Sequence, residues 1–235
     1  MNKNPTTRLR LLSGLATQQA LISDILPAFT ANTGIQVDTV FEPTSVLLNV
    51  INDGEPFDVL LGVTGTVQQL ADSGHIRPDS VSAVARSGIG VAVTDASTDS
   101  SFTTADEFIT TLRGARSVAY SRSGASGIYF AGLLDRLGIR AEIDAKATVL
   151  DKGFTATALF DGRADIAIQQ VSELLSVPGA VILGTLPPTV QFYTDFAAGV
   201  SVASLAPAEA VLLAGALITE DAQSAYVATG LIRPD

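Results

Sequence analysis

The chain has no cysteine, no tryptophan and a single histidine, His75, among its 235 residues. The lack of cysteine excludes disulfides, thiol nucleophiles and thiolate metal sites. A single histidine excludes histidine-rich metal sites and argues against a histidine-based catalytic triad. We find no other metal-ligand spacing, no nucleophile elbow and no phosphate-binding loop signature, so we expect neither a metal nor a cofactor.

Basic residues are also scarce, since 14 Lys and Arg stand against 24 Asp and Glu, giving a formal charge of −10 at pH 7. A chain this acidic lacks the positive surface that nucleic acids and anionic membranes require. We therefore expect a small molecule as partner and no nucleic acid. If that molecule is an anion, local dipoles and a few cations must hold it against the overall field.

No apolar run is long enough to span a bilayer, so membrane insertion is not expected. The stretch Met1–Arg8 has no apolar leader core before the first strand-like run. As written, the chain is expected in the cytoplasm, and it is periplasmic or extracellular if a signal peptide was removed.

Hydrophobic residues make up 47% of the chain, enough for a full core. Strand-like runs alternate with helical patterns from end to end, which predicts an α/β fold with a mostly parallel sheet. The predicted strands are 9–12, 35–41, 58–61, 89–93, 117–120, 147–150, 165–169, 181–183 and 196–202. The predicted helices are 18–31, 45–52, 67–73, 105–112, 128–137, 155–161, 207–217 and 220–228.

Short polar turns connect three of these strands to the helices that follow, at 13–17, 43–45 and 121–127. A helix N-terminus presents unpaired backbone N–H groups and the positive end of a dipole, so several such turns indicate a site for a small anion. Gln169 and Gln170 end an apolar strand, and Tyr193 precedes another. The candidate ligand-binding residues are Gly14, Leu15, Ala16, Thr17, Thr44, Ser45, Ser121, Arg122, Gly124, Ala125, Ser126, Gln169, Gln170 and Tyr193.

Each candidate also has a purely structural interpretation. Thr44 and Ser45 could only cap a helix after Pro43. Arg122 could be an ordinary solvated arginine, and Tyr193 could simply pack. The amides of Gln169 and Gln170 could make structural hydrogen bonds within the fold instead of contacting a ligand. The sequence leaves these alternatives open.

Two apolar runs rich in small residues, 87–93 and 196–202, suit strands that cross between two lobes. They predict a first lobe of residues 1–86 and 199–235 and a second lobe of residues 87–198, with the ligand in a cleft between the lobes.

The order of these segments resembles the extracellular solute-binding protein family that contains the periplasmic molybdate-binding proteins. The resemblance covers Leu9 to about Ile232 and rests on the turn after Leu11-Leu12, the stretch FEPTS at 41–45 and GEPFDV at 54–59. It also rests on SGIGVAV at 87–93, GASGIYF at 124–130 and ADIAIQQVSE at 164–173. It implies a type II periplasmic-binding-protein-like fold with two lobes joined by two crossing strands. It also implies an ABC-transporter permease as a partner, but only if the native protein is exported.

Two departures from that family bear on the ligand. Molybdate binders have a serine near Ala16 or Thr17 and a tyrosine where Gln170 aligns, and here Arg122 adds a cation to the second turn. A planar guanidinium suits a planar carboxylate, so we expect an organic polycarboxylate rather than molybdate. An aconitate isomerase is related to the family, which makes a cofactor-independent isomerase the alternative. Tyr193, Tyr120, Glu173 or a water held by Thr17 are candidates for its base, and the sequence does not single one out.

Overall fold

The computed structural model describes residues 7–95 and 102–234. Residues 1–6, where no leader is predicted, lie outside the described part. The strands are β1 (Arg8–Ser13), β2 (Gln36–Phe41), β3 (Val59–Val63), β4 (Ser82–Val93), β5 (Val118–Ser121), β6 (Ala147–Leu150), β7 (Ile166–Gln170), β8 (Val181–Thr185) and β9 (Tyr193–Val200). The helices are α1 (Gln18–Ala20), α2 (Leu26–Thr33), α3 (Thr44–Asn52), α4 (Thr64–Asp72), α5 (Ala105–Gly114), α6 (Ala125–Arg136), α7 (Arg140–Asp144), α8 (Thr157–Phe160), α9 (Val171–Leu175), α10 (Pro207–Ala216) and α11 (Glu220–Ala228).

The first helical run is not uniform. It starts with a 3-10 turn at Leu15–Thr17 and contains a π turn at Leu21–Ile25 between α1 and α2. Pro27 follows this π turn, and because proline lacks an N–H and crowds the carbonyl four residues earlier, the wider turn accommodates it. The run ends at Gly34, which takes the left-handed conformation (φ +73°) that glycine readily adopts at a helix C-terminus.

The chain divides into two compact units. Unit one comprises the described residues of Met1–Arg86 and Asp195–Asp235, and unit two comprises Ser87–Thr194. The chain leaves unit one within β4 and returns to it within β9. The lobe limits given above, with 199 as the point of return, stay a prediction.

In unit one the strands lie in the order β2-β1-β3-β9. Leu9 and Leu11 pack in one buried cluster, whereas Leu12 packs in another. Because successive strand residues point to opposite faces, this alternation shows that helices cover both faces of the sheet. Each fully buried leucine contributes about 1.5–3 kcal/mol through removal of its surface from water.

In unit two β5 lies between β6 and β7, and β4 pairs with both β7 and β8. The same alternation holds, since Val118 and Tyr120 lie in one buried cluster and Ala119 lies in the other. The alanine face brings α8 and α9 close to the sheet, because small side chains allow a short separation.

The predicted alternation of strands and helices is confirmed, but the prediction of a mostly parallel sheet is only partly right. β1, β2 and β3 are parallel, as are β5, β6 and β7. β9 runs antiparallel to β3, and β4 runs antiparallel to both β7 and β8. The sheet is therefore mixed, because the strands that carry the chain between the units run against their neighbours.

Candidate functional site

The carboxyl ends of β1, β2 and β3 lie side by side in unit one. The register pairs Ser13 with both Phe41 and Leu61. A helical segment starts shortly after each strand, at Leu15, Thr44 and Thr64, and no side chain caps any of these starts. Their first N–H groups have no acceptor within the helix, so this edge of unit one is suited to an anion.

The first turn of unit one is held by its own hydrogen bonds. The Gly14 N–H donates to the Leu61 carbonyl (2.9 Å), and the Ser13 and Thr17 hydroxyls lie 2.9 Å apart. The Thr17 hydroxyl also lies 3.2 Å from the Gly14 carbonyl. The turn, including Leu15 and Ala16, is buried. The hydroxyls of this turn therefore fix its backbone, and the backbone N–H groups are what it offers to a ligand.

Thr44 lies where α3 begins, next to the ends of the neighbouring strands. Its hydroxyl oxygen accepts a hydrogen bond from the Val63 N–H (3.3 Å), which leaves the hydroxyl proton for another acceptor. A Cβ atom on Gly62 would lie 3.2 Å from the Thr44 methyl group, so the strand end packs tightly on this side chain. Ser45, the next residue, is exposed. Thr44 is thus a positioned donor rather than a mobile surface hydroxyl.

In unit two the turn after β5 is just as tightly built. The Ser121 hydroxyl accepts the Gly124 N–H (2.9 Å), and the Arg122 N–H donates to the Leu150 carbonyl (2.8 Å). A Cβ atom on Gly127 would lie 1.8 Å from the Ser121 carbonyl oxygen, so only glycine fits there. Helix α6 starts at Ala125 without a side-chain cap. Predicted residues 121–126 therefore form one uncapped helix start.

The Arg122 guanidinium extends into solvent from this turn. Its Nε lies 2.7 Å from Asp151 Oδ1, and the two side chains are 68% and 81% exposed. The Ser123 hydroxyl donates to the Asp151 carbonyl (2.7 Å), which brings the loop after β6 alongside the turn. An ion pair this exposed contributes at most about 1 kcal/mol, so another carboxylate can replace Asp151 at low cost.

Gln169 is buried, and its amide is fully used inside unit two. The amide oxygen accepts both the N–H (2.7 Å) and the hydroxyl (3.0 Å) of Thr155, and the amide nitrogen donates to the Gly153 carbonyl (3.1 Å). Gln169 thus fixes the loop between β6 and α8. Thr155 is not predictable as a buried residue from the sequence, because a lone threonine after a phenylalanine carries no signal of its buried position.

Gln170 is also buried, and it contacts the two segments where the chain crosses between the units. Its amide oxygen accepts the Thr194 hydroxyl (2.7 Å), and its nitrogen donates to the Ser87 carbonyl (3.1 Å), in the orientation that satisfies both ends of the amide. Tyr193, about half exposed, lies with its ring 3.1 Å from where a Cβ of Gly88 would be. A ligand role for Gln169, Gln170 and Tyr193 stays a prediction.

The short helix α9 adds a buried carboxyl group at the same end of β7. Glu173 is 8% exposed, and burial raises the pKa of its carboxyl to about 8 even though the Gln170 N–H and the Gln169 amide donate to it. The neighbouring Ser172 hydroxyl is buried and has no hydrogen-bond partner among the described residues. Four buried polar side chains, those of Gln169, Gln170, Ser172 and Glu173, therefore lie together at the carboxyl end of β7 and the start of α9.

Two further properties hold within residues 7–95 and 102–234. No group of three or more His, Asp or Glu side chains is arranged to hold a metal ion. No helix combines the length and the apolar character needed to cross a membrane.

Comparison with known proteins places the chain in a family. The sequence profile of the bacterial extracellular solute-binding proteins matches residues 9–232. An aconitate isomerase of a Pseudomonas species is 31% identical over 233 residues, covering 97% of this chain and 88% of that protein.

Solved structures show the same fold at low sequence identity. The periplasmic molybdate-binding protein of Azotobacter vinelandii aligns with a TM-score of 0.81 at 16% identity, over 97% of this chain and 100% of that one. The sulfate-binding protein SubI of Mycobacterium tuberculosis aligns with a TM-score of 0.75 at 18% identity, over 97% and 88% of the two chains. The resemblance and the type II periplasmic-binding-protein-like fold predicted from the motifs are confirmed, and the chain belongs to the bacterial extracellular solute-binding protein family.

Proposed function

We propose that this protein binds a small organic polycarboxylate. The observation that carries the proposal is the turn of unit two, where an uncapped helix start and the exposed guanidinium of Arg122 lie within a few residues of each other. Backbone N–H groups and a planar guanidinium together match the geometry of carboxylate oxygens. In unit one, the Thr44 hydroxyl and the uncapped starts of the helical segments offer further donors.

Two positions favour a carboxylate over a tetrahedral metal oxide. Ala16 has no hydroxyl in the first turn, and Gln170 stands where molybdate binders resemble one another in having a tyrosine. The Gln170 amide is moreover committed to Ser87 and Thr194. Compared with the site of a molybdate binder, a site with fewer neutral hydroxyls and one added cation is better suited to an organic acid than to a metal oxide.

The proposal is tested by calorimetry and thermal unfolding with molybdate, tungstate, sulfate, citrate and both aconitate isomers. A ligand that binds only the folded state raises the apparent melting temperature by mass action. We expect the largest shift from a di- or tricarboxylate. The proposal is wrong if molybdate or tungstate gives the largest shift and the carboxylates give none.

Isomerisation of an unsaturated polycarboxylate is the second candidate function. It is favoured by the relative named aconitate isomerase, which matches nearly the whole chain. Such a reaction needs only one proton-transfer group and donors that hold the carboxylates, so it requires neither a metal nor a cofactor. Conversion of cis- to trans-aconitate by the purified protein, followed by proton NMR, distinguishes the isomerase from a pure binder.

Transport is the third activity that the family suggests, and it needs a permease as partner. It applies only if the protein is exported. Fractionation of cells that express the full native gene tests this point directly.

A further inference from the structure

Glu173 has a buried carboxyl group, and buried carboxyl groups that are not paired with a cation are uncommon in folded proteins. Glu173 is 8% exposed, and none of the ion pairs formed by the described residues includes it. The donors recorded for its carboxylate are the Gln170 N–H and the Gln169 amide. Removing a carboxylate from water at such a position costs stability, because hydrogen bonds only partly replace its hydration.

Glu173 also lies at the edge of unit two that carries the anion turn. β5 and β7 are adjacent and parallel, with Val118 paired to Ile166 and Ala119 to Ala167. β5 ends at Ser121, where the turn begins, and β7 ends at Gln170, where α9 begins. The carboxyl ends of adjacent parallel strands meet at one edge of a sheet, where ligands bind in α/β proteins. The buried hydroxyl of Ser172 lies in the same short helix, and because it has no hydrogen-bond partner within residues 7–95 and 102–234, it provides a donor for a ligand.

The other candidates for a base are less suitable. The Tyr120 hydroxyl donates to Asp144 (2.8 Å), and burial raises the pKa of this phenol to about 12, so it stays protonated. The Thr17 hydroxyl is held by Ser13 and Gly14 within its own turn. Tyr193 is about half exposed, so its surroundings do not exclude water.

We propose that Glu173 is the proton-transfer residue of the isomerisation described above as the second candidate function, and the inference rests on that function. The ionised carboxylate takes a proton from the CH2 group next to the double bond of an unsaturated polycarboxylate. The electron pair of that C–H bond forms a new C=C bond, and the pair of the old double bond moves to its far carbon. The protonated Glu173 then returns the proton to that far carbon. No oxidant, reductant or other reactant is consumed, and the new double bond forms in either geometry.

The surroundings of Glu173 contain few charges that would disturb this role. α9 packs on β7 and β8, neither of which has an ionisable side chain. Helix α9 also contacts β4 at Gly90. The one ionisable residue of β4 is Arg86, which pairs with Asp195. The loop that carries Thr155 has Asp151 and Lys152, both exposed. A carboxyl with a pKa of about 8 is present in both protonation states near neutral pH, which suits a group that must accept and return a proton.

The test is proton NMR of the full chain in deuterated buffer, with cis- or trans-aconitate as the probe. We expect the wild type to incorporate deuterium into the CH2 position and to interconvert the isomers, with a rate that rises with pH up to about 8 and then levels off. E173Q keeps the size and polarity of the side chain without its titration. It should slow exchange about 100-fold or more, while calorimetry shows aconitate binding within a few-fold of wild type.

Two controls make the result decisive. E142Q changes an exposed glutamate of the same unit, paired with Arg113, and should leave exchange unchanged. E173D keeps an ionisable group one methylene shorter and should retain slow but measurable exchange, which serves if E173Q does not fold. Exchange by E173Q at the wild-type rate overturns the assignment of Glu173. Binding without any exchange by the wild type overturns the isomerase function, and the assignment with it.

Discussion

Gln169 and Thr155 are joined twice, because the amide oxygen of Gln169 accepts both the N–H and the hydroxyl of Thr155, at 2.7 and 3.0 Å. This pair ties the loop after β6 to the end of β7 in the interior of unit two. The same glutamine also donates to the Glu173 carboxylate. The loop and the buried carboxyl therefore share one hydrogen-bond network.

Thr155→Val should destabilise the protein by about 1–2 kcal/mol, because valine keeps the shape but removes a buried hydroxyl donor. Thr157→Val is the matched control, since Thr157 is exposed and its hydroxyl donates to the nearby Phe154 carbonyl (2.7 Å). It should change the free energy of unfolding by less than about 0.5 kcal/mol. Urea unfolding of both variants measures the difference, and equal effects would contradict the network.

Gly127→Ala should destabilise the protein by about 3 kcal/mol or more, because the new methyl group would overlap the Ser121 carbonyl oxygen. Gly132→Ala lies in the same helix, where the added Cβ meets only the end of Arg136 at 3.6 Å. That substitution should stabilise the protein by about 0.5–1 kcal/mol, since alanine favours helix. In chemical denaturation the two substitutions should therefore change the free energy of unfolding in opposite directions. Similar losses of stability in both variants would show that the close contact between Gly127 and the Ser121 carbonyl does not determine the effect.

Arg122→Ala should weaken binding of a tricarboxylate at least about tenfold, because one charge-assisted pair of hydrogen bonds is lost. The melting temperature without ligand should hardly change, because the Arg122–Asp151 ion pair is exposed. Arg163→Ala removes another arginine that is more than half exposed and pairs with Asp161 before β7, and calorimetry should find the affinity of this variant unchanged. If both variants bind like the wild type, Arg122 is only a surface residue.

Glu173 should make stability fall as pH rises from about 4.5 to about 8. Over that range the unfolded chain releases the Glu173 proton, whereas the folded protein, with its raised pKa, still holds it. Below about pH 4.5 the Glu173 carboxyl is protonated in both the folded and the unfolded protein, so it has no effect. Above about pH 8 the free energy of unfolding has fallen by its full amount, of order a few kcal/mol. Urea unfolding of wild type and E173Q between pH 4 and pH 9 isolates this contribution, with E142Q as the control. Parallel curves for wild type and E173Q would show that Glu173 titrates normally.

Much of the fold could be predicted because its signals are local. Strand-like apolar runs predicted the strands, and helical patterns between these runs predicted the longer helices. The predicted strand 58–61 corresponds to β3, and Asp58 just before β3 accepts hydrogen bonds from the Arg10 N–H (2.7 Å) and the Ser204 hydroxyl (2.6 Å). The early start of β4 at Ser82 was missed because Arg86 interrupts the apolar pattern, although Asp195 neutralises that charge in the folded chain.

The candidate site was predictable only in part. Turn positions followed from glycine, serine and helix spacing, whereas the partners of Gln169 and Gln170 depend on segments distant in sequence. Helix α9 spans only Val171–Leu175, which is too short for a helical period to show. The burial of Glu173 arises from packing of that helix on β7 and β8, so no local pattern could reveal it.

In the turn from Ser121 to Gly127, the residues that set the backbone path are separate from Arg122, the residue that we propose sets ligand preference. The path depends on Gly127 against the Ser121 carbonyl and on main-chain bonds from Arg122 and Gly124, none of which involves the Arg122 side chain. Residue 122 can therefore change its chemistry without disturbing the scaffold. A family built on such a turn can acquire affinity for a new anion through one exposed substitution, and unit two is where laboratory selection for altered specificity should begin.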